Sequence, residues 1–260
     1  MKLFLLLFLL NVFINAQNEL MDQKEIPEIM TDRPDITESA IAVSPGYFQF
    51  EDGFILENQN INTENIRIYT FSSLLARIGV INSLELRLGG DYLHQVIKLD
   101  NNQSANSGLN NLLIGAKYQF MKEEIYGFDF GLIMQIYLPV GNKSLRPNNV
   151  EPEILLASGK NLTDIFSISA NLGTHWNSAD NILVFLYSAS FGISINDGWD
   201  SFIEIFGDAS GNSQAAAKFD FGFACRPITN FQVDISAGNE SFSNFNSWFI
   251  ASGLSIRLPH

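Results

Sequence analysis

The pattern that decides the fold is clearest in residues 183–195, LVFLYSASFGISI. Apolar side chains occupy every second position from Leu183 to Ile195, and the positions between them are mostly Ser and Gly. A period of two is typical of a β-strand with one apolar and one polar face. The same alternation recurs in residues 84–92, 128–138, 215–226 and 248–258. Each of these segments is long enough for a tilted strand to cross a bilayer, which takes about 9–11 residues.

Soluble antiparallel sheets also alternate, so a soluble β-sandwich is the competing interpretation. Three features favour a membrane barrel. The strands are longer than the usual length of about 5–6 residues in globular sheets, and the polar face carries small residues and charge pairs. Aromatic residues also gather near the strand ends, as an interfacial girdle requires: Tyr47, Tyr92, Tyr118, Tyr126, Trp176, Trp199, Phe231 and Trp248. The pattern predicts an all-β protein, a single up-and-down antiparallel transmembrane β-barrel of about 12 strands.

The connections between the predicted strands alternate in length. Short turns are expected at residues 82–83, 121–126, 161–164, 196–198 and 227–230. Longer, Asn- and Ser-rich loops are expected at residues 58–63, 98–108, 140–149, 177–180, 208–213 and 239–244. Short periplasmic turns and longer outer loops are typical of bacterial outer-membrane barrels. An even number of strands then places both chain ends in the periplasm.

The composition excludes several classes of protein. The net charge is −13 with only 15 Lys and Arg residues, whereas nucleic-acid binding needs a basic face for the phosphates. The single cysteine, Cys225, cannot form a disulfide framework. Lys2, an apolar run through Ile14 and the small residue Ala16 have the form of a secretory signal peptide. We therefore expect residues 1–16 to be a signal peptide, residues 17–45 to be an N-terminal periplasmic or plug segment, and residues 46–260 to be the barrel.

Two stretches near the start of the predicted barrel resemble a known family. They are TDRPDITES at residues 31–39 and VSPGYFQFE at residues 43–51. Together they are similar to the opening of the phenol-degradation meta-pathway family of outer-membrane transporter-like β-barrels. The resemblance implies a transporter-like barrel in the outer membrane of a Gram-negative cell, and little about the substrate.

Residues 17–45 cannot form a strand, because Pro27, Pro34 and Pro45 interrupt them. One interpretation is a flexible periplasmic leader. The other is a plug that folds into the lumen, where four charged residues of the segment would find partners: Asp32, Arg33, Asp35 and Glu38.

A Lys or Arg facing lipid at mid-depth costs about 2–4 kcal/mol. Alternation and this cost assign further charged side chains to the lumen: Glu51, Arg67, Arg77, Glu85, Arg87, Asp91, Lys117 and Asp220. Asp52 breaks the alternation, so we expect a bulge or an interfacial position there.

Catalysis has little support in the sequence. His94, His175 and His260 are scattered, and neither internal histidine has a serine two residues away on its strand, the spacing expected of a nucleophile and base on one strand face. With one cysteine they form no metal site, and no cofactor is expected.

We expect a narrow or gated passage for small molecules, with aromatic or hydrophobic compounds as candidates, rather than an enzyme. The alternatives are a structural or anchoring barrel and an outer-membrane hydrolase. The expected partners are outer-membrane lipid and the periplasmic chaperone and barrel-assembly machinery; the substrate is open and nucleic acid is excluded.

Overall fold

The computed structural model describes residues 28–61, 64–100, 102–211, 217–242 and 245–259. The predicted signal peptide, residues 1–16, lies outside the described residues. Thirteen β-strands form one antiparallel sheet: β1 (Phe48–Ile61), β2 (Glu64–Ile81), β3 (Leu84–Leu99), β4 (Asn102–Leu109), β5 (Leu112–Met121), β6 (Asp129–Leu138), β7 (Glu151–Asn161), β8 (Phe166–Asn177), β9 (Ile182–Asn196), β10 (Trp199–Ser210), β11 (Lys218–Ile228), β12 (Phe231–Phe242) and β13 (Phe245–Leu258). A four-residue helix, α1 (Glu123–Tyr126), lies in the turn between β5 and β6. Among the described residues no helix is both long and apolar enough to cross a membrane.

The sheet closes on itself as a barrel of twelve strand positions. The first and last strands pair in register, from Phe48 opposite Leu258 to Ile61 opposite Phe245. β4 and β5 share one position, because β4 pairs with the end of β3 around Tyr92–Leu99 and β5 pairs with the beginning of the same strand. The prediction of about twelve up-and-down strands is therefore confirmed. Closure removes the open edges that lipid cannot hydrogen-bond.

The barrel is polar inside and apolar outside. Buried polar and charged residues recur at alternate positions of the strands and point inward; examples are Gln49, Glu51, Glu85, Arg87 and Gln232. The positions between them carry exposed apolar side chains, such as Leu86, Leu88, Phe219, Phe221 and Phe223. Soluble proteins have the opposite arrangement, with apolar residues inside and polar residues outside. The hydrocarbon core of a membrane stabilises the arrangement seen in this barrel.

Several connections predicted as long loops are largely strand. Residues 98–99 and 102–108 belong to the hairpin that β3 and β4 form, and β1 and β2 extend to Ile61 and Glu64. Their Asn- and Ser-rich composition indicated loops, but ladder hydrogen bonds are made by the backbone, and polar side chains suit a strand that faces water. The connection between β6 and β7 remains a long loop, and its Asn142 donates a backbone N–H to the Leu109 carbonyl over 2.9 Å.

A bulge in β2 inverts the faces of the upper half of that strand. Thr70 pairs with Leu93 and Ser72 with Tyr92, so Phe71 is an extra residue. Asp52 lies beside the same irregularity and accepts a hydrogen bond of 2.8 Å from the Ser72 hydroxyl. Because one extra residue reverses the alternation, Arg67 points outward and is exposed. The prediction that Arg67 faces the lumen is wrong, and the bulge is the reason.

Candidate functional site: the N-terminal segment and the lumen network

The N-terminal segment, residues 28–47, leads into β1 without regular structure and contacts inward-facing residues around the barrel. Its Ile29 donates a backbone hydrogen bond of 2.8 Å to Thr229 at the β11–β12 turn. Further along, Glu38 donates its backbone N–H to Asn171 of β8 over 2.7 Å, and Val43 donates to Glu85 of β3 over 2.7 Å. The segment thus has partners on widely separated strands, which a leader in solvent would not.

Asp32 is the centre of a buried charge network. One carboxylate oxygen, Oδ1, lies 2.7 Å from Lys117 Nζ. The other, Oδ2, lies 2.7 Å from Arg87 Nη1 and 3.3 Å from Arg77 Nη1. Burial alone would raise the pKa of Asp32, but the charges of Arg77, Lys117 and Arg87 outweigh it and hold that pKa well below its ordinary value. The carboxylate is therefore ionised at any pH the protein meets.

The barrel wall alone leaves this network with an excess positive charge. We define the lumen network as Asp32 together with Glu51, Arg77, Glu85, Arg87 and Lys117. Arg77 forms ion pairs of 2.9 Å with both Glu51 and Glu85, so the wall supplies three cations and two carboxylates. The segment adds Asp32 and also Glu38, whose carboxylate lies 2.6 Å from Arg87 Nη2. Buried charges need partners of opposite sign, and the segment supplies them.

Arg33 occupies a space kept open by two glycines. Gly53 of β1 and Gly253 of β13 are paired in register. A Cβ at either position would lie 2.6 Å from the Arg33 guanidinium carbon, so any larger residue would displace the side chain. Arg33 Nη2 reaches Asp234 of β12 at 3.1 Å, which matches the expectation that this arginine pairs with an inward carboxylate.

The segment also has an apolar contact in the lumen. Ala40 packs in a buried cluster with Ile133, Leu155 and Ala157 of β6 and β7. A Cβ on Gly131 would lie 2.6 Å from the Ala40 carbonyl oxygen, so the backbone of the segment lies directly on the wall there. This contact fixes the path of the segment on the part of the wall next to the lumen network, since Ile133 is paired with Lys117.

A second group of carboxyl groups faces the segment from β10 and β11. Glu204 accepts a 2.8 Å hydrogen bond from the Ile36 N–H and also contacts the Thr37 hydroxyl. Glu204 is paired in register with Asp220, and Asp35 lies close to both. Burial, followed by the charge of Glu204, raises the pKa of Asp35 to about 8. Asp35 therefore holds a proton near neutral pH when the segment is in this position.

Docking of the segment is expected to weaken as the pH rises through 8. A carboxyl group whose pKa is raised in the docked state binds its proton more tightly there than in the released state. Its contribution to docking is complete below the ordinary pKa of 3.8 and is lost between that pH and about 8. We expect ion conductance across a planar bilayer to be larger at pH 9 than at pH 6, and Asp35→Asn to reduce the difference. Equal pH dependence of wild type and Asp35→Asn would assign the effect to Glu204, Asp220 or another group.

An open space borders this second group. A cavity of about 1380 Å³ lies along β6 to β12. Its lining combines six inward-facing residues, Gly159, Ser169, Ser190, Glu204, Asp220 and Gly238, with outward-facing apolar residues such as Ile203, Phe219 and Phe221. A Cβ built on Gly159 would meet no atom within 4 Å. A volume of this size is above the usual range of about 300–1,000 Å³ for small-molecule pockets.

Of the charged residues predicted from the sequence, most lie together. Asp32, Glu51, Arg77, Glu85, Arg87 and Lys117 form the lumen network, and Glu38 joins it through Arg87. Asp220 is buried in the second group with Asp35. Asp91 lies apart and accepts hydrogen bonds from Ser73 and Asn111.

Glu204 is a lumen residue that was not predicted from the sequence. Phe202 and Leu155 are buried and lie on the same face as polar neighbours, so apolar side chains interrupted the polar pattern that identifies an inward face. The available signal was Glu204 itself, since a carboxylate in the middle of a long strand is expected to face inward.

Closed by β1–β13 pairing, with a polar interior and an apolar exterior, the molecule has the architecture of a transmembrane β-barrel. The chain belongs to the family described as "Putative MetA-pathway of phenol degradation", whose model matches residues 31–258. The match begins within the N-terminal segment and includes Asp32 and Arg33. No curated protein matches the chain significantly.

Solved structures share the fold at low sequence identity. The COG4313 outer membrane channel from Pseudomonas putida F1 has a TM-score of 0.58 and 13% identity, over 84% of this chain and 97% of that one. The β domain of the Bordetella autotransporter BrkA has a TM-score of 0.56 and 10% identity, over 80% and 98%. The KdgM porin in complex with disordered oligogalacturonate has a TM-score of 0.52 and 12% identity, over 79% and 98%. A channel, the β domain of an autotransporter and a porin share this fold, so the fold alone does not decide the function.

Proposed function

We propose that the protein is a narrow, gated outer-membrane passage for small molecules, in which the N-terminal segment is the gate. The observation that carries the proposal is the pairing of Asp32 with Arg77, Arg87 and Lys117 in the lumen. Ionic and hydrogen-bond contacts hold the segment against the wall without a covalent link, so its release requires only that these contacts separate. A purely structural barrel could fill its lumen with wall side chains and would not need such a segment.

In this proposal the segment enters the lumen from the periplasmic side, and both chain ends lie on that side. Four of the short connections, at residues 82–83, 162–165, 197–198 and 229–230, lie at the end of the barrel where the segment joins β1. The Ile29 contact with Thr229 is also at that end. Outer-membrane barrels carry their short turns on the periplasmic side, which supports this orientation.

Small aromatic or hydrophobic compounds are the first solutes to test. The description of the family names phenol degradation, and the cavity of about 1380 Å³ has room for a molecule of that size. The number of strand positions around the barrel also supports a narrow path. Twelve is intermediate between the filled barrels of about eight strands and the open porins of about sixteen.

We expect the purified mature protein in a planar bilayer to show small, discrete ion-conducting openings, which a small phenol added to the outer side reduces. The reduction follows if the aromatic compound occupies the cavity and excludes ions. Liposome swelling with neutral solutes of graded size measures the width of the path. Verified insertion without openings, in both wild type and a variant lacking the segment, would favour the anchoring barrel instead.

An outer-membrane hydrolase is the remaining alternative, and one cluster near the barrel mouth bears on it. His175 lies 3.3 Å from both Glu151 and Glu153. The nearby Ser178 hydroxyl donates to Glu151 over 2.7 Å rather than to His175. The serine therefore lacks the contact with a base that would activate it. Ester or phospholipid hydrolysis that His175→Ala abolishes would revive the hydrolase.

A further inference from the structure

The bulge at Phe71 creates an outward-facing basic pocket at the end of β2, β3 and β4. Beyond the bulge Arg67 and Tyr69 point away from the lumen, and Val96 and Lys98 share this face with the exposed Tyr92. Lys98 is paired with Asn65 of β2 and with Gln103 of β4. We call this group, Asn65, Arg67, Tyr69, Val96, Lys98 and Gln103, the rim pocket. Its volume is about 190 Å³.

The part of the chain that the structure describes does not neutralise the two cations of the rim pocket. Among the described residues, neither Arg67 nor Lys98 has a carboxylate within ion-pair distance, and both side chains are exposed. The chain as a whole carries a net charge of −13, so two unpaired cations on adjacent strands are a local feature and not an effect of a basic surface. Every other pocket residue except Val96 carries a hydrogen-bonding group: two amides and a phenol.

Along the membrane normal, the rim pocket lies at the depth of the membrane interface. Arg67 is paired with Asn58, and Asn58 is paired with the exposed Trp248 of β13. Trp and Tyr side chains gather where the lipid headgroups begin, and Tyr69 lies within the pocket itself. A cation would be costly nearer the middle of the bilayer, whereas at the interface it meets the headgroups.

We propose that the rim pocket binds a phosphate group of a phosphorylated glycolipid in the outer leaflet of the outer membrane. The Arg67 guanidinium presents a planar pair of donors that fits phosphate oxygens, Lys98 adds a second positive charge, and the amide of Gln103 supplies further donors. Tyr69 offers an apolar face to the sugar. The choice of leaflet rests on the proposed orientation of the barrel, but the binding itself does not depend on transport.

The test measures lipid binding to the full-length mature protein in detergent by native mass spectrometry. The probes are diphosphorylated lipid A, the same lipid with its phosphates removed, phosphatidylglycerol and inorganic phosphate. We expect binding of diphosphorylated lipid A, and a loss of roughly thirty-fold in affinity in the double variant Arg67→Gln/Lys98→Gln, since each basic residue near a charged membrane surface is worth about a factor of five. Lys143→Gln, in the loop between β6 and β7, is the matched control and should bind like wild type.

Three results would overturn the proposal. Equal binding of the phosphorylated and dephosphorylated lipid would mean that the phosphate is not recognised. Unchanged binding in the double variant would mean that the site lies elsewhere. Inorganic phosphate that binds as tightly as lipid A, and loses its binding in the double variant, would make the ligand a soluble anion. The same result with phosphatidylglycerol would make the ligand an inner-leaflet lipid. Conductance of the double variant is expected to equal wild type, so failure here is separable from failure of the gated passage.

Discussion

Deletion of residues 17–40 is expected to raise the single-channel conductance several-fold, the largest change in conductance that we predict. The deletion removes Asp32, Arg33 and Ala40, and with them the contacts to β1–β3, to β12 and to the apolar cluster on β6 and β7. The space vacated would join the cavity of about 1380 Å³. The measurement is single-channel recording in a planar bilayer, with wild type and deletion protein refolded in parallel.

Two controls separate the loss of contacts from misfolding. Replacement of residues 28–40 by an equally long Gly and Ser segment keeps the chain length and should raise the conductance as the deletion does. Arg33→Ala removes the ion pair with Asp234 and empties the space beside Gly53 and Gly253, but it keeps the other contacts of the segment and should give a smaller increase. Deleted protein that is inserted and heat-modifiable, yet conducts like wild type, would show that the segment does not limit the passage.

The parts of the fold that follow from backbone periodicity could be predicted from the sequence. Alternation in β6, β9 and β11 predicted which residues face lipid, because a charge or apolar side chain on the wrong face is costly along the whole strand. The same rule predicted the inward positions of Glu51, Arg77 and Lys117. It failed at Arg67, since the reversal depends on one extra residue, Phe71, and no residue type in β2 marks that position.

The partners within the candidate site could not be predicted in the same way. The charges of Asp32 and Glu38 and the inward cations on β2, β3 and β5 follow from the sequence. Which cation each carboxylate contacts does not follow from it, because the path of a segment without regular structure is set by glycine spaces such as those at Gly53 and Gly253. The shared strand position of β4 and β5 does not follow from it either, since a polar stretch such as residues 102–109 pairs through its backbone.

Asp32→Asn is expected to release the segment while the barrel stays folded. The change keeps the shape of the side chain but removes the charge that three cations share. Lys117 would keep only Glu85 at 3.8 Å as a carboxylate within ion-pair distance among the described residues. Removing one partner of a buried ion pair costs about 3–5 kcal/mol. Backbone hydrogen bonds between neighbouring strands hold the wall of the barrel together, whereas the segment makes few backbone hydrogen bonds. The segment is therefore the part that separates.

The release can be read from proteolysis as well as from conductance. A protease that cleaves after glutamate should cut Asp32→Asn protein at Glu38 far faster than wild type, while heat-modifiability of the barrel is retained. Asp35→Asn at pH 6 is the matched control, since the raised pKa of Asp35, about 8, means that its carboxyl group is already neutral there. The double variant Asp32→Asn/Lys117→Met should recover part of the protection, because it removes the cation that the single change leaves poorly paired. If Asp32→Asn protein resists cleavage at Glu38 as wild type does, the ion pairs do not hold the segment, and packing at Ala40 and the Arg33 space must hold it instead.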